Sequence, residues 1–296
     1  MKFDVFQVSR KGGRRRNEDR MGYCYTRDAS LFVLADGMGG HPRGDVAAEL
    51  ALKSLSDLFK RKAAPRLQDP RAFLDEATLG AHRQMLEYAI HHGLADSPRT
   101  TVVACVVQDG RANWAHCGDS RLYLVRQGIL VARTRDHTYA ERPTVQSAAS
   151  HAVNRNVLFT CLGSPSRPTI DMSVTTTLRD GDRLLLCSDG LWGVLPDREI
   201  TALLGARPLA ESVPALVERA LQAAGPSSDN VTALAFEWQA AVGDEDDQAG
   251  GFAATAQFDD VDPQAQHALD DAAIERSIAE INDAIRRTTT QRNGGA

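Results

Sequence analysis

Four aspartates in this 296-residue sequence share one local context. Each lies at the start or the end of an apolar, strand-like run beside a glycine or a serine, and they are Asp36, Asp119, Asp189 and Asp229. Strands that pack in sheets bring their ends to a common edge, so these carboxylates can converge on one point. Converging carboxylates repel one another, and burial would force protons onto them unless a cation compensated.

The donor type indicates which cation would suit this cluster. Oxygen donors without an accompanying set of His or Cys favour hard ions such as Mg²⁺ or Mn²⁺ over zinc. Gly37, directly after Asp36, has no Cβ, so its carbonyl oxygen can also approach a metal. The simpler interpretation is that each motif is only a turn beside a strand. One motif alone would fit that interpretation, but four in order predict a dinuclear metal site.

The apolar pattern of the first 239 residues predicts many strands and four helices. Strands are expected at residues 2–8, 31–35, 100–108, 111–117, 121–125, 129–132, 170–176, 183–187 and 231–238. Helices are expected at residues 44–61, 70–92, 197–204 and 209–224. Hairpin-linked strands with helices inserted in pairs predict an α+β layered sandwich rather than alternating βαβ units.

The composition changes after residue 239. Residues 240–267 are rich in Asp, Gly, Ala and Gln and are expected to form an acidic flexible linker. Residues 268–296 are expected to form an amphipathic helix and a disordered end, with the helix binding either a partner or the main body. Of the net charge of −5, the residues from 240 onward carry −8, which leaves +3 for residues 1–239.

Charge and composition exclude several classes of protein. No run of eighteen apolar residues occurs, so no membrane span is expected, and no secretory apolar segment follows Met1. The five cysteines show no CxxC spacing, and most lie in apolar runs, which indicates reduced core thiols and a cytoplasmic location. A body charge of +3 is too small to predict nucleic acid binding, although it suits an anionic phosphorylated substrate.

Several short motifs follow one another along the chain. They are Arg14, Asn17-Glu18-Asp19, Asp36-Gly37-Met38-Gly39-Gly40, Gly118-Asp119-Ser120-Arg121, Asp136-His137, Ser188-Asp189-Gly190 and Asp229-Asn230-Val231-Thr232. As an ordered set over residues 2–238, they resemble the bacterial type-2C (PPM) metal-dependent protein serine/threonine phosphatases. The resemblance implies a phosphatase catalytic domain over residues 1–239. It also implies a central β-sandwich of two mainly antiparallel sheets flanked by pairs of helices, in a four-layer αββα order.

The resemblance also implies roles for the main site residues. By it, Asp36 bridges two Mn²⁺ or Mg²⁺ ions and the Gly37 carbonyl binds one of them. Asp189 and Asp229 hold the other ion. A water molecule between the two cations would then attack phosphorus directly, without a covalent intermediate.

The resemblance assigns lesser roles to three other acids. By it, Asp119 contributes to a third, weaker ion, while Glu18 and Asp19 order water molecules at the metals. Many relatives also have an acid four residues after the Asp189 equivalent, where this chain has Gly193. This departure predicts a third metal site that is weak or absent.

The position of Arg14 matches that of the family's phosphate-binding arginine. A guanidinium can bind two phosphate oxygens in one plane, so the residue type fits that role. The alternative is that Arg14, Arg15 and Arg16 are simply a solvated basic run. Some relatives have a histidine where this chain has Met38, which cannot donate a proton to the leaving group. A metal-bound water is the expected substitute; His41 is a second candidate for that role, and a structural role in its loop is the alternative.

The motifs predict phosphorylated proteins as substrates and a cognate Ser/Thr kinase as the opposing enzyme. One alternative is a catalytically weak phosphatase-like domain that acts as a phosphoprotein-binding regulator. Degenerate domains of that kind usually lose metal aspartates, whereas all four are present here. Another alternative is a different metallohydrolase, such as a nuclease, which the weak body charge does not favour.

Overall fold

The computed structural model describes residues 2–39, 43–141 and 157–239. The linker predicted at residues 240–267 and the helix and disordered end predicted at residues 268–296 lie outside the described residues. His41, the candidate proton donor, also lies outside them. No helix within the described ranges is both long enough and apolar enough to span a lipid bilayer.

Two antiparallel sheets form the centre of the molecule. The strands are β1 (Lys2–Arg10), β2 (Asp19–Tyr25), β3 (Ala29–Asp36), β4 (Val102–Gln108), β5 (Arg111–Cys117), β6 (Arg121–Arg126), β7 (Ile129–Arg133), β8 (Asp171–Met172), β9 (Thr176–Thr177), β10 (Arg183–Cys187) and β11 (Val231–Gln239). The first sheet has the order β1-β11-β10-β6-β7. The second has the order β2-β3-β4-β5-β8, with β9 also paired to β5. The first and last strands of the described chain are therefore neighbours.

Within the described ranges, five α-helices cover the outer faces of the sheets. They are α1 (Gly44–Lys62), α2 (Pro70–His91), α3 (Asp189–Trp192), α4 (Asp197–Ala206) and α5 (Leu209–Ala224). Helices α1 and α2 pack on the second sheet, and α3, α4 and α5 pack on the first. The N-terminus of α2 is well specified, because the Asp69 side chain accepts hydrogen bonds from the next backbone N–H groups and Pro70 follows it.

The core between the sheets explains why the strands read as continuous apolar runs. Alternate side chains of a central strand face the opposite sheet or the covering helices, so both faces are buried. Phe32 of the second sheet stacks on Phe236 of the first with ring centroids 3.9 Å apart, which ties the two layers together. The four-layer α+β sandwich expected from the sequence is confirmed.

The structure differs from the sequence prediction at β2, at α3 and at the strand predicted for residues 170–176. Strand β2 was not predicted because its buried positions include Gly22 and Asp19, which carry no apolar signal, and helix α3 was not predicted because it has only four residues. The prediction of one continuous strand at residues 170–176 is wrong. This region instead contains β8 and β9, which pair with different parts of β5.

The end of β3 and the start of β2 lie side by side, with Asp19 opposite Asp36.

Candidate active site

A cavity of about 920 Å³ lies at the sandwich edge where several strands begin or end. Seven of the eight predicted site residues line it, namely Arg14, Glu18, Asp36, Gly37, Asp119, Asp189 and Asp229. The eighth, Asp19, is almost fully buried beside the cavity, and its charge acts on the Asp36 carboxyl. The convergence expected from strand ends is therefore observed.

Hydrogen bonds from a pair of threonines fix the backbone of Asp36 at the end of β3. The Thr101 N–H donates to the Asp36 carbonyl oxygen at 2.9 Å, and the Asp36 N–H donates to the Thr101 hydroxyl at 3.3 Å. The Thr100 hydroxyl donates to the same carbonyl at 2.8 Å. This clamp was missed at the level of sequence, where the two threonines were not interpreted as site residues.

Asp189 and Asp229 are presented by neighbouring strands of the first sheet. Asp189 is the first residue of α3, directly after β10, and Asp229 precedes β11. Ser188 locks the two strand ends together, because its N–H donates to the Thr232 carbonyl at 3.1 Å and its hydroxyl accepts the Thr232 N–H at 3.0 Å. The two carboxylates thus approach the cavity from one rigid edge.

Crowding of the carboxylates raises their pKa values. Burial is the main cause for Asp36, and the charges of Asp19 and Asp189 raise its pKa further. Burial, and then the charge of Asp229, raises the pKa of Asp189 to about 6. Burial, and then the charge of Asp189, raises the pKa of Asp119 to about 7. The cluster therefore has an excess of negative charge that bound cations would neutralise.

The atoms around this cluster suit hard divalent ions. The donors are carboxylate and carbonyl oxygens, as Mn²⁺ and Mg²⁺ require. Asp19 accepts a hydrogen bond from the Ser188 hydroxyl at its Oδ2 atom, at 2.8 Å. Its buried Oδ1 atom has no hydrogen-bond partner among the described residues, and burial raises its pKa to about 7. An acceptor of this kind fits water molecules ordered around metals, so the residues fit the expected ions.

Arg14 already contacts one member of the cluster. Its Nη2 donates to the Asp229 Oδ2 at 2.5 Å, and this bond is the main cause of the raised pKa of Arg14. Its guanidinium therefore occupies the acidic centre, at the mouth of the cavity. A phosphate held above Asp36 and Asp189 would lie within reach of the same group.

Asn230 fixes the loop that carries Arg14, and this residue was also missed as a functional one. Its Nδ2 donates to the carbonyl oxygens of Lys11 and Arg16, at 2.8 and 2.9 Å. Its Oδ1 accepts the Glu18 N–H at 2.9 Å. No local sequence pattern reveals such contacts, which join residues more than 200 positions apart.

Asp119 lines the cavity, but its surroundings differ at one position from those that the resemblance implies. The expected additional acid is absent at Gly193, whose N–H donates to the Asp189 carbonyl at 2.7 Å. A Cβ at Gly193 would lie only 2.7 Å from that carbonyl oxygen, so a larger residue would displace the start of α3. The described side chains therefore offer Asp119 no partner at this position for holding a third ion.

A second group of possible ligands lies behind Asp119. Ligand atoms of His116, His137 and Asp171 lie within 4.8 Å of one another. The His137 Nδ1 accepts the Gly118 N–H at 3.2 Å, so the proton of the neutral ring is on Nε2, which faces the Asp171 carboxylate at 3.5 Å. Metal binding at that Nε2 would require loss of this proton. The geometry therefore fits a histidine–carboxylate contact that supports the Asp119 turn better than a metal site.

Comparison with known proteins agrees with this geometry. The family model described as protein phosphatase 2C matches residues 9–235. The serine/threonine phosphatase stp of Listeria innocua is 31% identical over 240 residues, which are 78% of this chain and 94% of that protein. The serine/threonine protein phosphatase PstP of Mycobacterium tuberculosis is 35% identical over 212 residues, which are 70% of this chain and 40% of that protein.

Solved structures give the same result. A crystal structure of the PstP catalytic domain in complex with two manganese ions has a TM-score of 0.65 and 31% sequence identity, covering 79% of this chain and 97% of that one. A crystal structure of the phosphatase Stp1 from Staphylococcus aureus has a TM-score of 0.72 and 27% identity, covering 81% of this chain and 96% of that one.

Proposed function

This chain belongs to the protein phosphatase 2C family and is a metal-dependent serine/threonine protein phosphatase, and from that premise we propose how its own residues perform the hydrolysis. The reaction is transfer of a phosphoryl group from a phosphoserine or phosphothreonine to water. The observation that supports the assignment of residues is the convergence of Asp36, Asp189 and Asp229 on one cavity.

We assign the metal ligands from this convergence. Asp36 would bridge two Mn²⁺ or Mg²⁺ ions, with the Gly37 carbonyl on one side and with Asp189 and Asp229 on the other. When bound, such a pair of ions lowers the pKa of water so that hydroxide forms near neutral pH, and it neutralises charge on the phosphoryl oxygens. Glu18 and Asp19 would orient water by accepting hydrogen bonds, since Glu18 lines the cavity and the buried Asp19 Oδ1 atom has no hydrogen-bond partner among the described residues.

Arg14 is the proposed phosphate ligand. Its guanidinium is aimed at the carboxylate cluster by the contact with Asp229. A planar guanidinium can hold two phosphoryl oxygens at once, which fixes the phosphorus for in-line attack and stabilises the charge of the transition state. Binding of cations by Asp229 would release the guanidinium from its present contact for this purpose.

The leaving alkoxide needs a proton, and no histidine lies among the described residues that line the cavity. Met38 occupies the position where some relatives have a histidine, and a thioether has no proton to give. We propose that water delivers this proton, with the Asp119 and Glu18 carboxyls as acceptors that keep water in place.

Substitution of Asp36 by Asn tests the assignment. Turnover of a phosphothreonine peptide with Mn²⁺ should fall by at least about 10³-fold, because the bridging ligand loses its charge. The matched control is Asp75→Asn on the exposed face of α2, which should retain full turnover. Manganese bound per chain, measured by isothermal titration calorimetry, provides the independent readout. An Asp36→Asn protein that binds two Mn²⁺ ions and turns over normally would contradict the assignment.

Three broader points are also proposals. The substrates are phosphorylated proteins, and a Ser/Thr kinase that produces them is the opposing enzyme. A cytoplasmic location is supported by five cysteines that are all buried and free.

Residues 240–267 are proposed as a linker and residues 268–296 as a helix that binds a partner or the catalytic body. Truncation after residue 239 tests the last point, since unchanged peptide kinetics and unchanged partner binding would dismiss it.

A further inference from the structure

The loop between Lys11 and Glu18 is held rigidly although it lies at the surface. Asn230 binds the loop at both ends through the three hydrogen bonds described above. The Gly13 N–H also donates to the Ser228 carbonyl at 2.9 Å. A Cβ at Gly12, whose φ is +61°, would lie 2.1 Å from the Asp229 carbonyl oxygen. The loop therefore packs directly on the turn that carries Asp229. The backbone positions of its arginines are fixed by these contacts.

Two arginines of this loop are not used by the proposed mechanism. Arg15 and Arg16 both line the cavity, and both are exposed to solvent. Neither side chain forms a hydrogen bond or a salt bridge within the described part of the chain. The charge of Arg16 lowers the pKa of Glu18, but that effect is smaller than the increase due to burial.

Arg15 and Arg16 lack the carboxylate partner that many arginines of the described residues have. Many others are held by carboxylates, as Arg126 is by Asp182 and Arg183 is by Glu237. Unpaired guanidiniums on a preorganised loop lose less entropy when they bind an anion than guanidiniums on a mobile loop would. They also bind carboxylate and phosphate groups with two parallel hydrogen bonds.

We propose that Arg15 and Arg16 form a second anion subsite, which selects substrates carrying another negative group close to the phosphoresidue. This inference rests on the proposed function, because it needs the scissile phosphate to be held at Arg14. The shared chemistry of the second group is an anion, supplied either by an acidic side chain or by a second phosphorylated residue.

Backbone geometry limits how far the second anion can lie from the phosphoresidue if it is to contact Arg15 and Arg16. Consecutive Cα atoms lie about 3.8 Å apart, so Arg15 and Arg16 begin within about 7 Å of Arg14. An extended peptide rises about 3.3 Å per residue, so a group two to four residues away lies about 7–13 Å from the phosphoresidue. An anion at that spacing can therefore meet these arginines, whereas one ten residues away cannot meet them in an extended peptide.

Four phosphothreonine peptides test the subsite in the presence of Mn²⁺. One is neutral around the phosphothreonine, one has Glu three residues away, one has a non-hydrolysable phosphonate there, and one has Glu ten residues away. We expect kcat/KM for the near-anion peptides to exceed that for the neutral peptide by about tenfold, and the distant Glu to have no effect. Comparison of the Glu and phosphonate arms identifies the preferred source of the anion. The preference should weaken at high ionic strength.

The double variant Arg15→Ala/Arg16→Ala should reduce the ratio of near-anion to neutral kcat/KM to below about twofold. The variant Arg15→Lys/Arg16→Lys should keep part of the ratio, since charge remains but the planar fork is lost. Lys60→Ala/Arg61→Ala is the matched control, because it removes two exposed positive charges in the last turn of α1 and should keep the full ratio. Thermal melting verifies that all variants fold.

Equal rates on all four peptides, or a preference that survives Arg15→Ala/Arg16→Ala, would overturn the subsite and leave the phosphatase assignment intact. A wild-type protein that hydrolyses none of the four peptides with Mn²⁺ would overturn the proposed function itself, and the subsite with it.

Discussion

Thr101 and Asp36 exchange hydrogen bonds in both directions: the Thr101 N–H donates to the Asp36 carbonyl, and the Asp36 N–H donates to the Thr101 hydroxyl. The same hydroxyl lies 2.7 Å from the hydroxyl of Ser120, which is itself buried. One side chain thus ties the end of β3 to the turn that presents Asp119. This side chain therefore contributes to the positions of two carboxylates in the cavity.

Replacement of Thr101 by Val should therefore lower both stability and metal affinity. The isosteric change leaves the Asp36 N–H and the Ser120 hydroxyl without a partner, which should reduce the free energy of unfolding by about 1–3 kcal/mol. Urea unfolding and calorimetric titration with Mn²⁺ measure the two effects. Thr78→Val is the matched control, because the buried Thr78 hydroxyl has no hydrogen-bond partner in the described residues. Equal stability losses for the two variants would refute the proposed clamp.

Replacement of Arg14 by Lys should reduce kcat/KM for a phosphopeptide by about 10–100-fold. The ammonium keeps the charge but cannot hold two phosphoryl oxygens in one plane. Inhibition by inorganic phosphate should weaken in parallel, and this provides a binding readout that is independent of turnover. Arg10→Lys, in β1 and outside the cavity lining, serves as the control. Unchanged phosphate inhibition in Arg14→Lys would mean that another group binds the phosphate.

Replacement of Asn230 by Asp should loosen the arginine loop. The carboxylate would still accept the Glu18 N–H, but it would face the Lys11 and Arg16 carbonyls without a proton to donate. We expect a loss of about 2–4 kcal/mol in the free energy of unfolding. Limited trypsin digestion at low temperature should cut after Arg14, Arg15 or Arg16 at least several-fold faster than in the wild type. A loop that stays resistant in Asn230→Asp would show that other contacts hold it.

Mild acid should destabilise the protein partly through His82. Its Nδ1 accepts the Gly163 N–H at 3.1 Å, and burial, followed by the charge of Arg83, lowers its pKa. Because the folded state binds this proton more weakly than the unfolded chain, the contribution of His82 is complete above the unfolded pKa of about 6.5. It is lost as the pH falls through the lower, folded value.

The His82→Asn variant should accordingly lose less stability than the wild type when the pH falls from 7 to 5. Its amide oxygen can still accept the Gly163 N–H but does not titrate. Urea unfolding midpoints at several pH values measure the difference, with the exposed His91 replaced by Asn as the control. Parallel pH profiles for wild type and His82→Asn would contradict this account.

The sequence predicted the layers of the fold well because its strands are buried on both faces. Runs such as residues 183–187 and 111–117 are buried at every position after the first and match β10 and β5 residue for residue. Strand β2 escaped prediction because its buried positions include Gly22 and Asp19, which carry no apolar signal. Helix α3 spans only four residues, which is too short for any periodicity to show.

Some residues of the site were predictable from the local sequence, whereas others depend on contacts between distant parts of the chain. The aspartates were predictable because each lies beside a strand end, where local pattern and chemistry coincide. The roles of Thr101 and Asn230 were not predictable, since they depend on contacts with Asp36 and with the arginine loop that only the folded chain creates. The side chains that bear the chemistry thus carry a sequence signal, whereas those that aim them do not.

The pairing of β1 with β11 has a consequence for biosynthesis. Lys2 lies opposite Gln239 and Arg10 opposite Val231, so the first strand finds its neighbour only when the ribosome has made the last one. At about 5–20 residues per second, β1 waits roughly 10–50 s for that partner. Arg14 and Asp229 belong to the same late junction, so a nascent chain that ends before residue 229 lacks this contact and one of the proposed metal ligands. We therefore expect such an incomplete chain to lack phosphatase activity.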